Sequence, residues 1–301
     1  MKTASRIHPA SRQAGFSEPP AFFVAGRFKD AFTELGLTSL DAVFAFDSGR
    51  DLAKSNIGRF RRRASFDVTP SDSGRPVKVF LKRYEQPPVL RQVLNWVCHH
   101  RRSSFASAER RAIEQLAKAG VNVPRVVACG EQWGALFEQR SFLITEEIAD
   151  SQSLERRLPE CFDSTAPVTL QARRVFIRRL AEFVRRFHTT GYRHRDLYLS
   201  HIFCSDAGKF CLIDLARASR PFLQRRFQVK DIAQLHYSSP AARFSRTDRL
   251  RFYLTYAGRR RLVPRDKAFL REVAGKTARM VRHNVKHGAV PPFLEGARGG
   301  L

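Results

Sequence analysis

The chain has 301 residues, 43% of them apolar and 25 of them Phe, enough for a sizeable globular core and two lobes or domains. No apolar run approaches the ~18 residues of a membrane span. The five scattered cysteines (98, 129, 161, 204 and 211) form no CxxC pair, which argues against a zinc site or a disulfide framework. Fifty-four Lys and Arg against 28 Asp and Glu give a net charge of +26, which points to anionic partners: nucleic acid, lipid headgroups or phosphorylated glycans.

Residues 1–20 are polar, Pro-containing and without period, and are expected to form a mobile arm. Their positive start lacks an apolar h-region, so no secretion signal is read, and a reduced cytoplasmic setting is expected. The segments VFAF (43–46) and ASFDV (64–68) read as short strands. After the turn TPSDSGRP (69–76), VKVFLKRY (77–84) alternates Val77, Val79 and Leu81 with Lys78, Phe80 and Lys82, predicting a further strand of an antiparallel sheet. Residues 103–119 read as a helix with Ser103 or Ser104 as cap and Gly120 as stop. Phe105, Ala112, Ile113 and Leu116 form its apolar stripe, and Glu109 lies on that stripe.

RVVACGE (125–131) and SFLITEEI (141–148) read as two more strands, and SQSLERRL (151–158) opens a short helix. Residues 170–188 form a helix whose stripe is Phe176, Leu180, Phe183, Val184 and Phe187, with arginines on the other faces and Gly191 as its stop. The run YRHRDLYLSHIFC (192–204) sets hydrated side chains directly before apolar ones, as a catalytic loop at the mouth of a buried strand would. HIFC, the turn SDAG (205–208) and KFCLID make a hairpin, and the chain beyond about residue 221 reads as helical and Arg-rich.

Four ionisable residues need a common explanation. Lys82 ends an apolar strand, and Glu109 sits on the apolar face of the next helix. Asp196 follows His194 and Arg195, and Asp214 lies 18 residues later, brought back by the hairpin. Phosphoryl transfer from ATP uses this set: a lysine on the phosphates, a glutamate holding the lysine, one carboxylate at the attacking hydroxyl and another for Mg²⁺. The protein-kinase signature runs V-A-I-K, helix Glu, H-R-D-L-x-x-x-N, D-F-G. Here Val79-Phe80-Leu81-Lys82, Glu109, His194-Arg195-Asp196-Leu197 and Asp214-Leu215-Ala216 follow it in order. Two departures stand out. His201 occupies the position of the Mg²⁺-binding Asn, and imidazole is a poor ligand for so hard a cation. No GxGxxG precedes Lys82, leaving Gly49 or Gly58 to build the loop over the phosphates.

HRDLYLSHIF followed by LIDLARA resembles the bacterial lipopolysaccharide kinases, specifically the lipopolysaccharide core heptose kinases. Their loop is similar to HRDxYxxHF and their metal motif to IDLHRA; here Ala216-Arg217 stand in place of His-Arg. The likeness extends to SFLITEEIADSQSLE (141–155) and VKDIAQLHYSS (229–239).

The resemblance implies a protein-kinase-like α+β fold of two lobes. An N-lobe over 21–147 would carry an antiparallel sheet and one helix, and a mainly helical C-lobe would span 148–295, with a tail at 296–301. It implies ATP and Mg²⁺ as cofactors and phosphorylation of a sugar hydroxyl of the lipopolysaccharide inner core. Asp196 would be the catalytic base, Lys82 and Glu109 would hold the phosphates, and backbone groups of Glu146, Glu147 and Ile148 would hold adenine. Asp214 would bind the metal. His201 would be a metal ligand, or would hydrogen-bond Asp196 or a phosphate. Asp231 would cap the catalytic loop, with His194 and Arg195 supporting it. The basic surface would dock on an anionic membrane carrying the glycolipid acceptor, with the enzyme peripheral on the inner face of the cytoplasmic membrane. Three other readings stay open: a kinase for another glycan or small molecule, a catalytically silent module binding anionic lipid, and a nucleic-acid binder. The last rests on charge alone, with no RNP, zinc-finger or bZIP pattern, so no specific nucleic acid is expected.

Overall fold

The structure, a computed structural model, describes residues 22–52, 60–162 and 166–288. The expected arm at 1–20, the tail at 296–301 and Gly58 lie outside those residues. In chain order the elements begin β1 (Phe22–Val24), α1 (Lys29–Glu34), α2 (Leu40–Ala45), β2 (Arg50–Asp51), β3 (Arg61–Val68) and β4 (Val77–Glu85). They continue with α3 (Val89–His99), α4 (Phe105–Lys118), β5 (Val126–Trp133), β6 (Glu138–Glu146), β7 (Ser151–Ser153), α5 (Leu154–Arg157) and α6 (Pro167–Thr189). The chain then forms β8 (Ile202–Ser205), β9 (Phe210–Leu212), α7 (Gln224–Ser238), α8 (Arg246–Ala257) and α9 (Pro264–Lys286).

Six strands make one antiparallel sheet in the order β1-β5-β6-β4-β3-β2, and β7-β8-β9 make a second, smaller one. Successive side chains of a strand point to opposite faces. Val79 and Leu81 of β4 therefore join Phe28, Phe32, Val43, Phe142 and Ile144 in a core beneath α1 and α2. The opposite face meets α4, where Tyr84 and Leu143 pack with Ala112, Ile113 and Leu116. That second core continues through Leu180, Val184 and Phe187 of α6 into the C-terminal helices.

Helix α4 starts where the Ser104 hydroxyl accepts the Ser107 N–H at 3.0 Å, and ends before Gly120, whose φ of +73° is a left-handed value that glycine adopts without strain.

Among the described residues of 21–147 the structure has four helices, α1–α4, where the sequence predicts one, and one predicted strand is absent. VFAF is not a strand; Val43–Ala45 complete α2, which the Ser39 hydroxyl caps by accepting the Ala42 N–H at 3.1 Å. Val43 turns inward and is fully buried in the α1–α2 core. In SQSLERRL the helix begins only at Leu154, because Ser151–Ser153 pair with β8. Helix α3 was not anticipated. Its inward residues are polar: Gln92 donates to the carbonyls of Pro87 (2.8 Å) and Glu138 (3.1 Å), and Asn95 donates to that of Ser103 (3.0 Å).

Candidate active site

The strand alternation that buries Val79 and Leu81 under α1 and α2 turns Lys82 the other way, toward α4. Its Nζ lies 2.5 Å from Glu109 Oε1 and 3.0 Å from Asp214 Oδ1. Glu109 is only 2% exposed, and the ammonium is the partner that a carboxylate buried there needs. Arg63 pairs in register with Lys82 across β3 and β4, and its Nη2 reaches Asp214 Oδ2 at 3.0 Å. Arg61, two residues earlier on the same face of β3, reaches Asp214 Oδ1 at 3.4 Å. Burial alone would raise the Asp214 carboxyl, but Lys82, Arg63 and Arg61 outweigh it and hold the group well below the usual carboxylate range. Three cations face two carboxylates, and the excess positive charge suits a polyphosphate.

The loop from Arg193 to His201 is fixed from behind by α7. The buried carboxylate of Asp231 accepts the N–H of His194 at 2.8 Å and of Arg195 at 2.7 Å. Arg195 has φ of +69°, a strained value for a bulky residue that costs of order 1–3 kcal/mol. Its carbonyl is held by Lys230 Nζ and by Gln234 Nε2, the latter at 3.2 Å. The Arg195 guanidinium lies over the Phe227 ring at 5.1 Å. His194 donates from Nε2 to the carbonyl of Ile213 at 2.9 Å, tying the loop to the strand end before Asp214. Burial pushes the His194 imidazole below its ordinary value, which keeps it neutral.

These contacts leave Asp196 at the open end of the loop. Arg217 clasps it with Nη1 at 3.1 Å from Oδ1 and 2.9 Å from Oδ2, and Lys230 Nζ stands 3.6 Å from Oδ1. Arg217 lies in the short 3-10 turn Leu215–Arg217 that follows Asp214. Asp214 itself has φ of +54°, so one strained residue turns the chain between the two aspartates' surroundings.

His201 donates from Nδ1 to the Asp196 backbone carbonyl at 2.7 Å, and its ring stacks on that of His194 at 5.5 Å. A carbonyl only accepts, so this nitrogen carries a proton. Of the roles weighed for His201, the structure displays a tie to Asp196, made to the backbone rather than the carboxylate.

At Glu146–Ile148 the N–H of Glu146 donates to Arg125 O at 2.9 Å and that of Glu147 to Lys78 O at 2.8 Å. The sheet thus uses two of the three N–H groups expected to face adenine. Their carboxylates turn to Arg27 (3.8 Å) and Lys78 (3.6 Å). Gly49 packs on β3, where an added Cβ would come within 3.2 Å of Ala64 Cβ.

The structure therefore gathers Lys82, Glu109 and Asp214 into one ion-pair cluster and sets Asp196 on a loop bonded to the strand end that carries Asp214. Sequence reasoning missed Arg61, Arg63, Arg217, Lys230 and Gln234. A signal existed for two of them: Arg61 and Arg63 alternate on the strand that pairs with β4. A cavity of about 320 Å³ walled by Phe176, Leu199, Leu235 and Phe244 lies among the C-terminal helices, and none of the cluster's residues lines it.

The Lipopolysaccharide kinase (Kdo/WaaP) family profile matches residues 58–256. The chain is 30% identical over 194 residues to a lipopolysaccharide core heptose(I) kinase WaaP of Escherichia coli, covering 61% of this chain and 72% of that protein. It is 34% identical over 185 residues to the protein of the same name from Pseudomonas aeruginosa, covering 59% of this chain and 66% of that one. A solved structure described as WaaP in complex with acyl carrier protein is similar with a TM-score of 0.63 at 26% identity, over 88% of this chain and 98% of that chain.

Proposed function

Because the chain belongs to the lipopolysaccharide kinase (Kdo/WaaP) family, we propose that it transfers the γ-phosphoryl group of ATP to a heptose hydroxyl of the lipopolysaccharide core. The chain is a phosphotransferase with a protein-kinase-like fold. One observation carries the reading of its site: Lys82, far away in sequence from both aspartates, ion-pairs at once with Glu109 and Asp214.

In this reading Lys82 and the two β3 arginines neutralise the nucleotide phosphates, and Glu109 fixes the lysine. Asp196 accepts the proton of the attacking hydroxyl. Its clasp by Arg217 sets the carboxylate's direction, which matters most for a loose transition state that demands alignment more than proton abstraction. A magnesium ion fits the donor chemistry, because Asp214 offers hard carboxylate oxygens and Mg²⁺ is bound by one or two carboxylates with phosphate and water completing its shell. When bound, it would neutralise charge developing on the phosphates. Among the described residues no three His, Cys, Asp or Glu side chains are grouped to hold a metal without the nucleotide. His201 stays with the loop backbone in this reading, and adenine takes its hydrogen bonds at the Glu146–Ile148 turn, where the N–H of Ile148 has no protein acceptor among the described residues. The division into a nucleotide-binding part over 21–147 and an acceptor-binding part over 148–295 is kept, supported by β6 ending at Glu146. The proposed setting is cytoplasmic, on the inner face of the membrane that bears the glycolipid acceptor.

The test is transfer of radiolabelled γ-phosphate to lipopolysaccharide core whose heptose lacks phosphate. Labelling by the wild-type chain and none by Asp196→Asn is expected. Labelling of free sugars or aminoglycosides in preference to core heptose would overturn the acceptor, and equal labelling by the variant would overturn the role of Asp196.

A further inference from the structure

Helix α3 is built inside out. Its inward face presents Gln92, Asn95, Trp96 and His99, at the spacing of one helical stripe, and the first two are buried and bonded to backbone carbonyls. Its outward face carries Leu90 (70% exposed), Val93, Leu94 and Val97 (62% exposed). Immediately beside it, His100 accepts the edge of a second apolar feature: its ring centroid lies 3.9 Å from that of Phe222, and its Nε2 donates to the carbonyl of Arg220 at 2.9 Å. Phe222 is 84% exposed and Leu223 58% exposed. Two segments distant in sequence, each with exposed apolar side chains, thus meet at His100.

A soluble domain has no reason to turn the polar stripe of a helix inward and its aliphatic stripe outward unless the outer face meets something apolar. The surrounding charge says what. Residues 86–108 and 215–230 contain no Asp or Glu, and exposed Arg91, Arg101, Arg102, Arg220 and Arg226 rim the surface. An amphipathic helix of eleven residues is about 16 Å long, too short to cross a bilayer but suited to lie in its interface. A second copy of the same face would set these arginines against one another. Phe222 protrudes at a turn, which needs a matching groove on a protein partner but none in a fluid acyl layer.

We infer that α3 and the Phe222–Leu223 turn are a membrane-docking surface that inserts its aliphatic and aromatic side chains among the headgroups of an anionic bilayer, with the rim arginines on lipid phosphates. The inference deepens the reading of a membrane-borne glycolipid acceptor and rests on it for its purpose. Phe222 lies five residues after Arg217, which clasps Asp196, so docking would bring the bilayer near the segment that orients the catalytic carboxylate.

The experiment uses the full chain and vesicles of phosphatidylethanolamine containing about a third phosphatidylglycerol. The wild-type chain floats with these vesicles and not with phosphatidylcholine alone. The double substitution Leu90→Glu, Val97→Glu lowers partitioning at least tenfold, as removal of one or two buried aliphatic side chains requires. Phe222→Ser, on the separate turn, lowers it too, and Arg91→Ala, Arg101→Ala or Arg226→Ala weakens it about fivefold. Unfolding temperature and phosphorylation of a soluble, deacylated core acceptor stay at wild-type values in all of them. Flotation of the Leu90/Val97 and Phe222 variants like wild type would overturn the inference. So would equal flotation with phosphatidylcholine, or a wild-type dimer that the same substitutions dissociate without any change in flotation, or loss of an acidic protein's binding with flotation intact. A wild-type chain that floats but phosphorylates no heptose acceptor would leave the surface standing and remove the substrate reading; a chain that phosphorylates the soluble acceptor but never floats would do the reverse.

Discussion

The Nη1 of Arg217 donates to both oxygens of Asp196, so one cation sits on the axis of the carboxylate and sets where it points. Arg217→Ala is expected to lower kcat by roughly a hundredfold, the cost of an ångström's misplacement of a reacting group, with KM for ATP little changed. One guanidinium nitrogen makes the whole contact, a role an ammonium can also fill, so Arg217→Lys should recover much of the loss. Steady-state kinetics on the core acceptor checks both; equal kcat for wild type and Arg217→Ala would show that the clasp is idle. The acidic members of this site and Lys82 were legible in the sequence because their order and spacing match a reaction that needs them. Arg61 and Arg63 were passed over although they alternate on the strand beside β4, and Arg217 although it stands in LIDLARA, because in a chain with 54 Lys and Arg an arginine's role shows only once its partner is known.

Helix α4 carries Glu109 to Lys82, and its N-terminus is anchored by a buried carboxylate from β6. Glu138 accepts the Phe105 N–H at 3.0 Å and the Ser141 hydroxyl at 2.5 Å. Burial pushes its carboxyl up to about 7, against the opposing pull of those two donors. A carboxyl raised on folding binds a proton that the unfolded chain has already released, so between about pH 4.5 and about 7 stability falls as pH rises. Glu138→Gln has no such proton to lose. Relative to wild type, the variant should gain roughly 2–3 kcal/mol as pH is raised across that window, read by urea denaturation at each pH. A constant difference across the window would show that Glu138 does not titrate there.

Sequence reading placed α4, with Ser103 or Ser104 as its cap, because the apolar stripe and the stop at Gly120 agree; the structure selects Ser104. It misplaced α2 because a four-residue apolar run has no period to read, and the decisive feature was the Ser39 cap just before it. It passed over α3 although Val89, Leu90, Val93, Leu94 and Val97 have helical spacing, since nothing in that spacing tells which face looks inward.

For the molecule as a whole, the net charge of +26 announced an anionic partner but could not say where it binds. In the proposed docking it binds where two acid-free segments meet at His100. The fold also draws three elements to one buried carboxylate. Asp231 of α7 holds the catalytic-loop amides and, at 3.2 Å, the Nε2 of His188 on α6, whose Nδ1 takes the Tyr256 hydroxyl of α8 at 2.7 Å. Asp231→Asn offers one acceptor where two amides point and should cost about 3 kcal/mol of stability, measured by thermal or denaturant unfolding; unchanged stability would mean that the loop finds other partners. A saturation scan scored only by phosphate transfer would therefore flag Asp231, and His188 behind it, as loudly as Asp196. Counting the abundance of each variant in the same pool would part the residue that reacts from those that merely keep its seat.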